Sequence, residues 1–357
     1  MLAVDVGVLY GLAFIVSLLA SLTLTPLAAR LARRLGVIDR PGPTKFHREP
    51  TPYLGGVAVA ASLFLVAGIT TGASGQFLTV LFGGLALVVV GLLDDKGAAT
   101  VPLKLGVEVS AAIALWAVGI RAGLFGVEAL DLLLTVFWVV GITNAVNMLD
   151  NMDGLAAGVV AISSLTFFGI AAARGSYLVA ALALSVAGAS LGFLRHNYPP
   201  ARIFLGDAGT LPLGFLVAAL GLKLDLIGEA GLVRTAIPVL ALAVPIFDAA
   251  VVILARLRDG RRFYVGGTDH TSHRLAAMGL SPGTIALGAY AIQIACSVPA
   301  FWLLYASDGA ALGLVSAVGA ASVATLVAVL ALPVMSAGST ERIASDDDAL
   351  GAERRPR

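Results

Sequence analysis

Long apolar segments recur along almost the whole chain and are separated by short polar loops. Eleven of them approach or exceed the length of about 20 residues that a helix needs to cross the hydrocarbon core of a bilayer. These segments lie at residues 6–28, 55–71, 77–93, 105–120, 132–149, 155–173, 177–194, 208–222, 235–255, 283–305 and 310–333. A backbone inside lipid must satisfy its own hydrogen bonds, so such segments are restricted to helices or closed barrels.

The composition indicates a membrane protein rather than a soluble domain. Only 13% of the 357 residues are charged and 59% are hydrophobic, whereas soluble domains average about 25% charged residues. The strand alternation typical of membrane barrels does not recur. The sequence therefore predicts an all-α, polytopic membrane protein with about eleven transmembrane helices. The single cysteine, Cys296, excludes a disulfide framework.

The distribution of Lys and Arg predicts which side of the membrane each loop occupies. With the N-terminus outside, all but four of the 23 Lys and Arg residues fall in inside segments; the four are Arg121, Arg174, Lys223 and Arg234. Such an excess marks the cytoplasmic side. The same assignment places all four histidines and the paired carboxylates there. We expect a cytoplasmic C-terminus and an active site on the cytoplasmic face.

The most polar segment inside the apolar body is Asn144-Ala-Val-Asn-Met-Leu-Asp-Asn-Met-Asp-Gly-Leu155. At 100° per residue, Asn144, Asn147 and Asn151 fall within about 60° of one another on a helix. Asp150 and Asp153 continue this polar stripe toward the helix end. Carboxylates at the end of a membrane helix are costly, and they mark a functional site by default. A short solvated loop is the simpler alternative.

The first inside loop contains Asp39-Arg-Pro-Gly-Pro-Thr-Lys-Phe-His47, followed by Pro-Thr-Pro at 50–52 and Gly55-Gly56. The prolines stiffen this segment, and the paired glycines allow close approach of a ligand or a neighbouring helix. A rigid basic loop beside a membrane suits a phosphate-bearing substrate, with Lys45 and His47 as its contacts. Anchoring to the membrane surface is the alternative.

Two adjacent carboxylates, Asp94 and Asp95, end the third apolar run. Neighbouring negative charges repel each other, and a helix C-terminus is unfavourable for them. A magnesium ion would relieve both problems, because Mg²⁺ is commonly held by one or two carboxylates together with phosphate oxygens and water. The alternative is a solvated acidic loop.

A third segment, from Arg195 to Gly209, places Asp207 between glycines just before a new apolar run. Anions and phosphates bind at helix N-termini of this kind. Phe204, three residues upstream, is suited to stacking on a base, although a core or lipid-facing role fits its spacing equally well.

A fourth segment, near the C-terminal end of the membrane body, contains His270 and His273 in Asp-His-Thr-Ser-His, after Asp248 in a preceding apolar run. The spacing lacks the Glu and Cys partners of a zinc signature. A cationic or donor cluster for a diphosphate fits it better.

Taken in chain order from about Gly36 to Leu275, these segments resemble the polyprenyl-phosphate N-acetylhexosamine-1-phosphate transferases, membrane enzymes that begin cell-envelope glycan synthesis. The loop with Lys45 and the Pro-Ile-Phe-Asp248 segment are closer to the branch that uses UDP-N-acetylglucosamine. The muramyl-pentapeptide branch usually carries three consecutive histidines, where this chain has Asp-His-Thr-Ser-His. Ser272 replaces a histidine of many relatives, and Ala98 replaces a third acid.

The resemblance implies transfer of N-acetylhexosamine-1-phosphate from a UDP-sugar to polyprenyl phosphate with release of UMP. Magnesium, or manganese as a substitute, would be held by Asp207 with Asp94 or Asp95. Catalysis is assigned to Asp94, Asp95, Asp207, His270 and His273. Substrate contacts are assigned to Lys45, His47, Asn147, Asp150, Asp153, Asn197 and Phe204. A homodimer is compatible with this assignment, and a nucleic-acid partner is not expected.

Two other classes of protein remain as alternatives. A proton-coupled transporter would line a path at mid-membrane from both sides, whereas the polar residues here gather at one boundary. CDP-alcohol phosphatidyl transfer also uses Asp-Gly motifs, but Leu-Ala-Ala-Gly follows Asp153-Gly154 in this chain. The catalytic membrane body is predicted to span 1–335, and the polar tail 336–357 to be disordered.

Overall fold

The computed structural model describes residues 6–42, 49–70, 74–224, 232–262, 264 and 266–334. Helices dominate these ranges. They are α1 (Val6–Leu35), α2 (Gly55–Thr70), α3 (Gly75–Asp95), α4 (Val101–Ala117), α5 (Glu128–Leu149), α6 (Leu155–Ala173), α7 (Tyr177–Asn197), α8 (Asp207–Lys223), α9 (Ala236–Ala241), α10 (Ala243–Arg258), α11 (Thr271–Ala277), α12 (Pro282–Trp302) and α13 (Asp308–Leu330). The predicted tail, 336–357, lies outside the described residues.

The predicted all-helical membrane fold is confirmed, and each predicted apolar run falls largely on helix. Within the described ranges, seven helices are long and apolar enough to cross a membrane, namely α1, α3, α5, α6, α7, α12 and α13. Helices α2, α4 and α8 are shorter, with 16, 17 and 17 residues. The number of eleven spans and the orientation therefore stay predictions.

Several helices begin at a hydroxyl side chain that satisfies a free backbone N–H. Ser74 accepts from the N–H of Phe77 at the start of α3, and Thr100 accepts from Leu103 at the start of α4. Ser281 does the same for Thr284 at the start of α12, with a proline in the first turn. Hydroxyl caps and early prolines are typical helix starts, and the Thr100 cap fixes the start of the helix that carries Lys104.

A small antiparallel sheet forms at the end of the molecule that carries the polar motifs. Its strands are β1 (Ile38–Asp39) and β2 (Thr51–Pro52), with Ile38 opposite Pro52. The backbone N–H of Phe204 donates to the Pro52 carbonyl at 2.9 Å, and that of Gly55 donates to the Phe204 carbonyl at 3.0 Å. The proline-rich loop is thereby attached to the segment that leads into α8.

Helix α8 lies at the centre of the bundle, with every residue from Ala208 to Gly221 buried. Its neighbours approach through glycines. A Cβ on Gly56 of α2 would lie 2.1 Å from the backbone nitrogen of Gly209, and one on Gly91 of α3 would lie 2.4 Å from the Asp207 carbonyl oxygen. Small residues permit such close helix packing in membranes. Gly56 and Gly91 therefore set how closely α2 and α3 approach the start of α8.

The chain bends by 84° between the segments Val233–Ala241 and Ala243–Arg258, so that α9 and α10 form one broken helix. The break leaves backbone groups without helical partners. Gln293 of α12, fully buried, accepts from the Val244 N–H at 3.2 Å and donates to the Ala241 carbonyl at 3.0 Å. Broken helices are tolerated at membrane depth when neighbours satisfy the freed backbone in this way.

Candidate active site

Asp207, the first residue of α8, is the centre of a polar cluster formed by the ends of four helices. The amide of Asn147, from α5, donates to Asp207 at 2.7 Å and to Thr210 at 2.8 Å. The ammonium of Lys104, from α4, forms a short ion pair with Asp207. Residues separated by up to 103 positions in the chain therefore meet at one carboxylate.

Lys104 connects the cluster to α3. Its Nζ lies 3.4 Å from Asp94 Oδ2 and 3.2 Å from Asn147 Oδ1. Three oxygens from three helices thus converge on one ammonium. Sequence analysis did not identify Lys104 as a site residue. Its signal was weak, because a lone lysine near the start of an apolar run also fits an inside loop.

Asp95 plays a different part from its neighbour Asp94. Its two carboxylate oxygens accept from the backbone N–H groups of Asp207 and Ala208, at 2.8 and 3.2 Å. Asp95 therefore caps the N-terminus of α8 from the end of α3, where negative charge is favoured by the helix dipole. The adjacent carboxylates divide their roles, since Asp94 faces Lys104 while Asp95 holds the backbone of the central helix. The catalytic and metal-binding roles assigned to Asp95 stay predictions.

Asp150 and Asp153 lie in the turn between α5 and α6, next to the loop that enters α8. Asp150 accepts a hydrogen bond from the backbone of Gly206, and its burial, together with the charges of Asp207 and Asp95, raises the pKa of its carboxyl well above the usual value. Asp153 accepts from the Ala201 N–H at 2.8 Å. The carboxylates predicted to converge do so, at one end of the bundle.

Asn197, predicted to contact the nucleotide, links two backbone segments of the loops beside the site. Its side-chain oxygen accepts from the Gly154 N–H at 2.9 Å, and its amide donates to the Ile203 carbonyl at 3.0 Å. The residue is 1% exposed, and its predicted contact with the nucleotide stays a prediction. The sequence did not indicate these two hydrogen bonds, because a polar residue before a Pro-Pro turn carries no sign of its backbone partners.

Phe204 lies half-buried beside the loop that precedes α2. Its ring contacts the ring of Tyr53 edge-to-face, with 5.6 Å between the centroids. Burial raises the pKa of the Tyr53 hydroxyl, so this tyrosine is a neutral hydrogen-bonding group. The pair forms an aromatic surface next to the carboxylate cluster. The stacking role predicted for Phe204 remains a prediction.

The histidine segment lies in the same region, where it contacts Asp248 of α10. The ring Nδ1 of His270 lies 2.8 Å from Asp248 Oδ2, and the Thr271 N–H donates to Asp248 Oδ1 at 2.8 Å. Asn151 Nδ2 lies 3.1 Å from the same ring nitrogen, and Ser272 donates to Asn151. A carboxylate on Nδ1 leaves Nε2 as the nitrogen that can face a substrate. Asp248 therefore orients His270.

His273 is buried beside His270, with ring centroids 5.6 Å apart. Burial, with the nearby His270, lowers the pKa of His273 to about 4, so this ring is neutral at pH 7. The sequence predicts a cationic or hydrogen-bond-donor role for the histidine cluster. A neutral His273 can donate a hydrogen bond but carries no positive charge.

An ion-pair group with a buried carboxylate, Asp269, lies next to this segment. Arg256 and Arg261 both donate to the carboxylate of Asp269, at 3.1 Å and 2.6 Å. Arg274 donates to the Asp269 carbonyl and to the Leu332 carbonyl beyond α13. These arginines therefore bind a carboxylate and carbonyl groups of the protein itself. The predicted contacts Lys45 and His47 lie outside the described residues.

The donor atoms of the cluster fit a hard divalent cation. Asp94 and Asp207 supply carboxylate oxygens and Asn147 an amide oxygen around a single positive group, the Lys104 ammonium. Among the described residues no group of three or more His, Cys, Asp or Glu side chains forms a complete metal-binding set. One or two carboxylates are what Mg²⁺ uses when substrate phosphates and water complete its shell. Asp207 and Asp94 are thus the residues that would hold it.

Comparison with known proteins identifies the family. The profile of glycosyl transferase family 4 matches residues 77–225. A Bacillus subtilis protein named probable undecaprenyl-phosphate N-acetylglucosaminyl 1-phosphate transferase is 37% identical over 303 residues, which cover 82% of this chain and 84% of that protein. The chain belongs to glycosyl transferase family 4.

Two further relatives, one from each branch, match different shares of the chain. A Mycobacterium tuberculosis decaprenyl-phosphate N-acetylglucosaminephosphotransferase is 30% identical over 339 residues, 84% of each chain. A Synechococcus phospho-N-acetylmuramoyl-pentapeptide-transferase is 35% identical over 241 residues, 62% of this chain and 70% of that one. The family resemblance predicted from the motifs is confirmed, and the relatives named for N-acetylglucosamine match more of the chain.

Proposed function

We propose that this protein transfers N-acetylglucosamine-1-phosphate from UDP-N-acetylglucosamine to a polyprenyl phosphate, releasing UMP, as the first membrane step of cell-envelope glycan synthesis. The observation that carries the proposal is the 37% identity to a relative named for this reaction over 82% of the chain. The cluster of Asp94, Asp207 and Lys104 supplies the charged site that such a phosphoryl transfer needs.

In this reaction an oxygen of the polyprenyl phosphate attacks the phosphorus that carries the sugar. The bond from that phosphorus to the UMP oxygen breaks, and UMP leaves. Positioning and charge neutralisation do most of the catalysis in phosphoryl transfer. A bound Mg²⁺, with Mn²⁺ as a substitute, would neutralise the diphosphate oxygens. Asp207 and Asp94 would hold this ion.

The lipid phosphate needs little activation, because the second pKa of a phosphate monoester is about 6 and the group is largely dianionic at pH 7. The Asp94 side chain is 35% exposed, against 22% for Asp207. Asp94 is therefore the carboxylate that an incoming lipid phosphate reaches first, where it aligns the nucleophile or takes its remaining proton. A covalent role for Asp94 would require a two-step transfer.

The remaining contacts are assigned from the family resemblance of the motifs. His270, oriented by Asp248, directs Nε2 toward the diphosphate, with His273 as a neutral donor beside it. Phe204 stacks on the uracil, and Asp150 with Asp153 bounds the nucleotide end of the site. Lys45 from the first inside loop adds a cation to the phosphates. The site opens to the cytoplasmic face of a bacterial plasma membrane, as the Lys and Arg distribution predicts.

The direct test is purified protein in detergent with Mg²⁺, polyprenyl phosphate and a panel of UDP-sugars, with released UMP as the readout. We expect turnover with UDP-N-acetylglucosamine and none with Asp207→Asn. Turnover only with UDP-N-acetylmuramoyl-pentapeptide would move the protein to the other branch, represented by the Synechococcus relative. Solute uptake by proteoliposomes without UMP release would support a transporter instead.

A further inference from the structure

Glu108 lies on α4 one helical turn beyond Lys104, and it is 1% exposed. Its Oε2 accepts a short hydrogen bond from Asn144 Nδ2. Its Oε1 is buried and has no hydrogen-bond partner among the residues that the structure describes. A buried carboxylate oxygen without a donor is costly. This carboxylate therefore has the capacity to receive a cation that the resting contacts do not use.

Lys104 lies at the opposite end of this helical turn, inside the ring of oxygens from Asp94, Asn147 and Asp207. A divalent cation held by the same oxygens would lie almost on top of the ammonium. Two positive charges at that separation repel strongly in a partly buried site. Lys104 must therefore leave the oxygens before they coordinate a metal ion.

We propose that Glu108 is the second binding position for the Lys104 ammonium, so that Lys104 moves along α4 onto Glu108 when Asp94 and Asp207 take up a divalent cation. This inference rests on the metal-dependent reaction proposed above. Side chains four residues apart on a helix are neighbours, about 5–6 Å between Cβ atoms. The flexible four-carbon stem of lysine spans that distance. Glu108 is then a positioning residue, which acts on the metal site through Lys104.

The exchange has an energetic rationale. With Lys104 among the oxygens, its positive charge offsets part of the negative charge of Asp94 and Asp207, and among the described residues Asn144 is the hydrogen-bond donor to Glu108. With a divalent cation there, the ammonium pairs with Glu108 and remains inside the protein. Glu108 thereby lowers the cost of displacing Lys104 and increases the apparent affinity for the metal ion. Movement of Lys104 into solvent or onto a substrate phosphate would need no Glu108.

The test measures Mn²⁺ binding to the detergent-purified full chain by the loss of the free-ion EPR signal, which needs no turnover. Four proteins form a double-mutant cycle: wild type, Glu108→Gln, Lys104→Met and the double variant. We expect Glu108→Gln to bind Mn²⁺ about tenfold more weakly, as outer-shell substitutions commonly do. Lys104→Met should bind more tightly than wild type, and adding Glu108→Gln to it should change nothing, because there is no ammonium to receive.

Two controls separate this from other effects. Glu128→Gln removes an exposed carboxylate at the start of α5 and should leave Mn²⁺ affinity unchanged. Glu108→Asp keeps the charge and should bind Mn²⁺ within about threefold of wild type, an expectation that follows from the charge-pairing role of the carboxylate.

The Glu108→Gln variant should fold, because its side-chain carbonyl can still accept the hydrogen bond from Asn144, and gel filtration checks that each variant is folded. Equal weakening with and without Lys104 would overturn the exchange, as would no weakening at all. A wild type that binds no Mn²⁺, either alone or with UDP-N-acetylglucosamine present, would instead overturn the metal requirement of the proposed function.

Discussion

The Asp95 carboxylate accepts a hydrogen bond from the backbone N–H of Asp207 at 2.8 Å. The end of α3 therefore fixes the start of α8, and with it the direction in which the Asp207 side chain points. Of the two adjacent acids, Asp95 is thus a structural cap and Asp94 is a carboxylate of the site. Substitutions at the two positions should separate these two functions.

Asp95→Asn should destabilise the protein, whereas Asp94→Asn should reduce activity with little loss of stability. An asparagine at 95 can accept from one backbone amide of α8 but turns its NH₂ toward the other. Loss of a helix cap costs about 1–2 kcal/mol. Thermal unfolding in detergent, followed by tryptophan fluorescence, measures the difference. Equal unfolding temperatures for the two variants would contradict the capping role.

Gly56→Ala should prevent α2 from packing against α8. The added Cβ would lie 2.1 Å from the backbone nitrogen of Gly209. Backbone atoms cannot move away by changing rotamer, as a flexible side chain can. We expect the free energy of unfolding to fall by about 1–3 kcal/mol or more, the range for overpacked cores. Gly141→Ala on α5, where nothing lies within 4 Å of the new Cβ, is the matched control. The two variants are compared by folded yield and unfolding temperature, and similar values would refute the close contact.

Gln293→Leu should weaken the broken helix of α9 and α10. The substitution removes a donor and an acceptor from the backbone groups of Ala241 and Val244. Each buried group left without a partner costs about 1–3 kcal/mol. Because α10 carries Asp248, which orients His270, turnover should fall along with the unfolding temperature. Ile294→Leu, on the exposed side of α12, should change neither.

Acidification should destabilise the protein through His273. The pKa of His273 is lowered to about 4 in the folded protein, against about 6.5 in an unfolded chain. Between these values the unfolded state binds more protons, so the contribution of His273 is complete above pH 6.5 and is lost as the pH falls toward 4. Unfolding temperatures from pH 7.5 to 4.5 should fall less steeply for His273→Gln than for wild type. Parallel curves would exclude this contribution.

Phe204→Ala should weaken binding of the UDP-sugar more than it slows turnover. Stacking of a base on an aromatic ring contributes about 1–3 kcal/mol, so KM for the UDP-sugar should rise by about tenfold or more while KM for the lipid is unchanged. Phe204→Tyr keeps the ring and should retain most of the affinity. An alanine variant with the wild-type KM would contradict the stacking role of Phe204.

The sequence predicted much of the site because its polar residues interrupt apolar segments. Asp94, Asp150 and Asp207 stood out for this reason, and all three lie at one end of the bundle. Lys104 and Glu108 were not identified, because a single charged residue in an apolar run does not show which oxygens it meets. The hydrogen bonds of Asn197 to Gly154 and Ile203 were not predicted either, because they are set by loop geometry.

By itself, the sequence determined the all-helical membrane class and the ends of the helices at which charged groups collect, because the cost of placing polar groups in lipid is local and can be read from composition along the chain. The tertiary structure decided how the carboxylates divide their roles. Asp95 caps α8, Asp94 and Asp207 share one ammonium, and Asp248 holds His270. Those pairings depend on how helices remote in sequence approach one another through Gly56 and Gly91, and that packing is a property of the whole bundle.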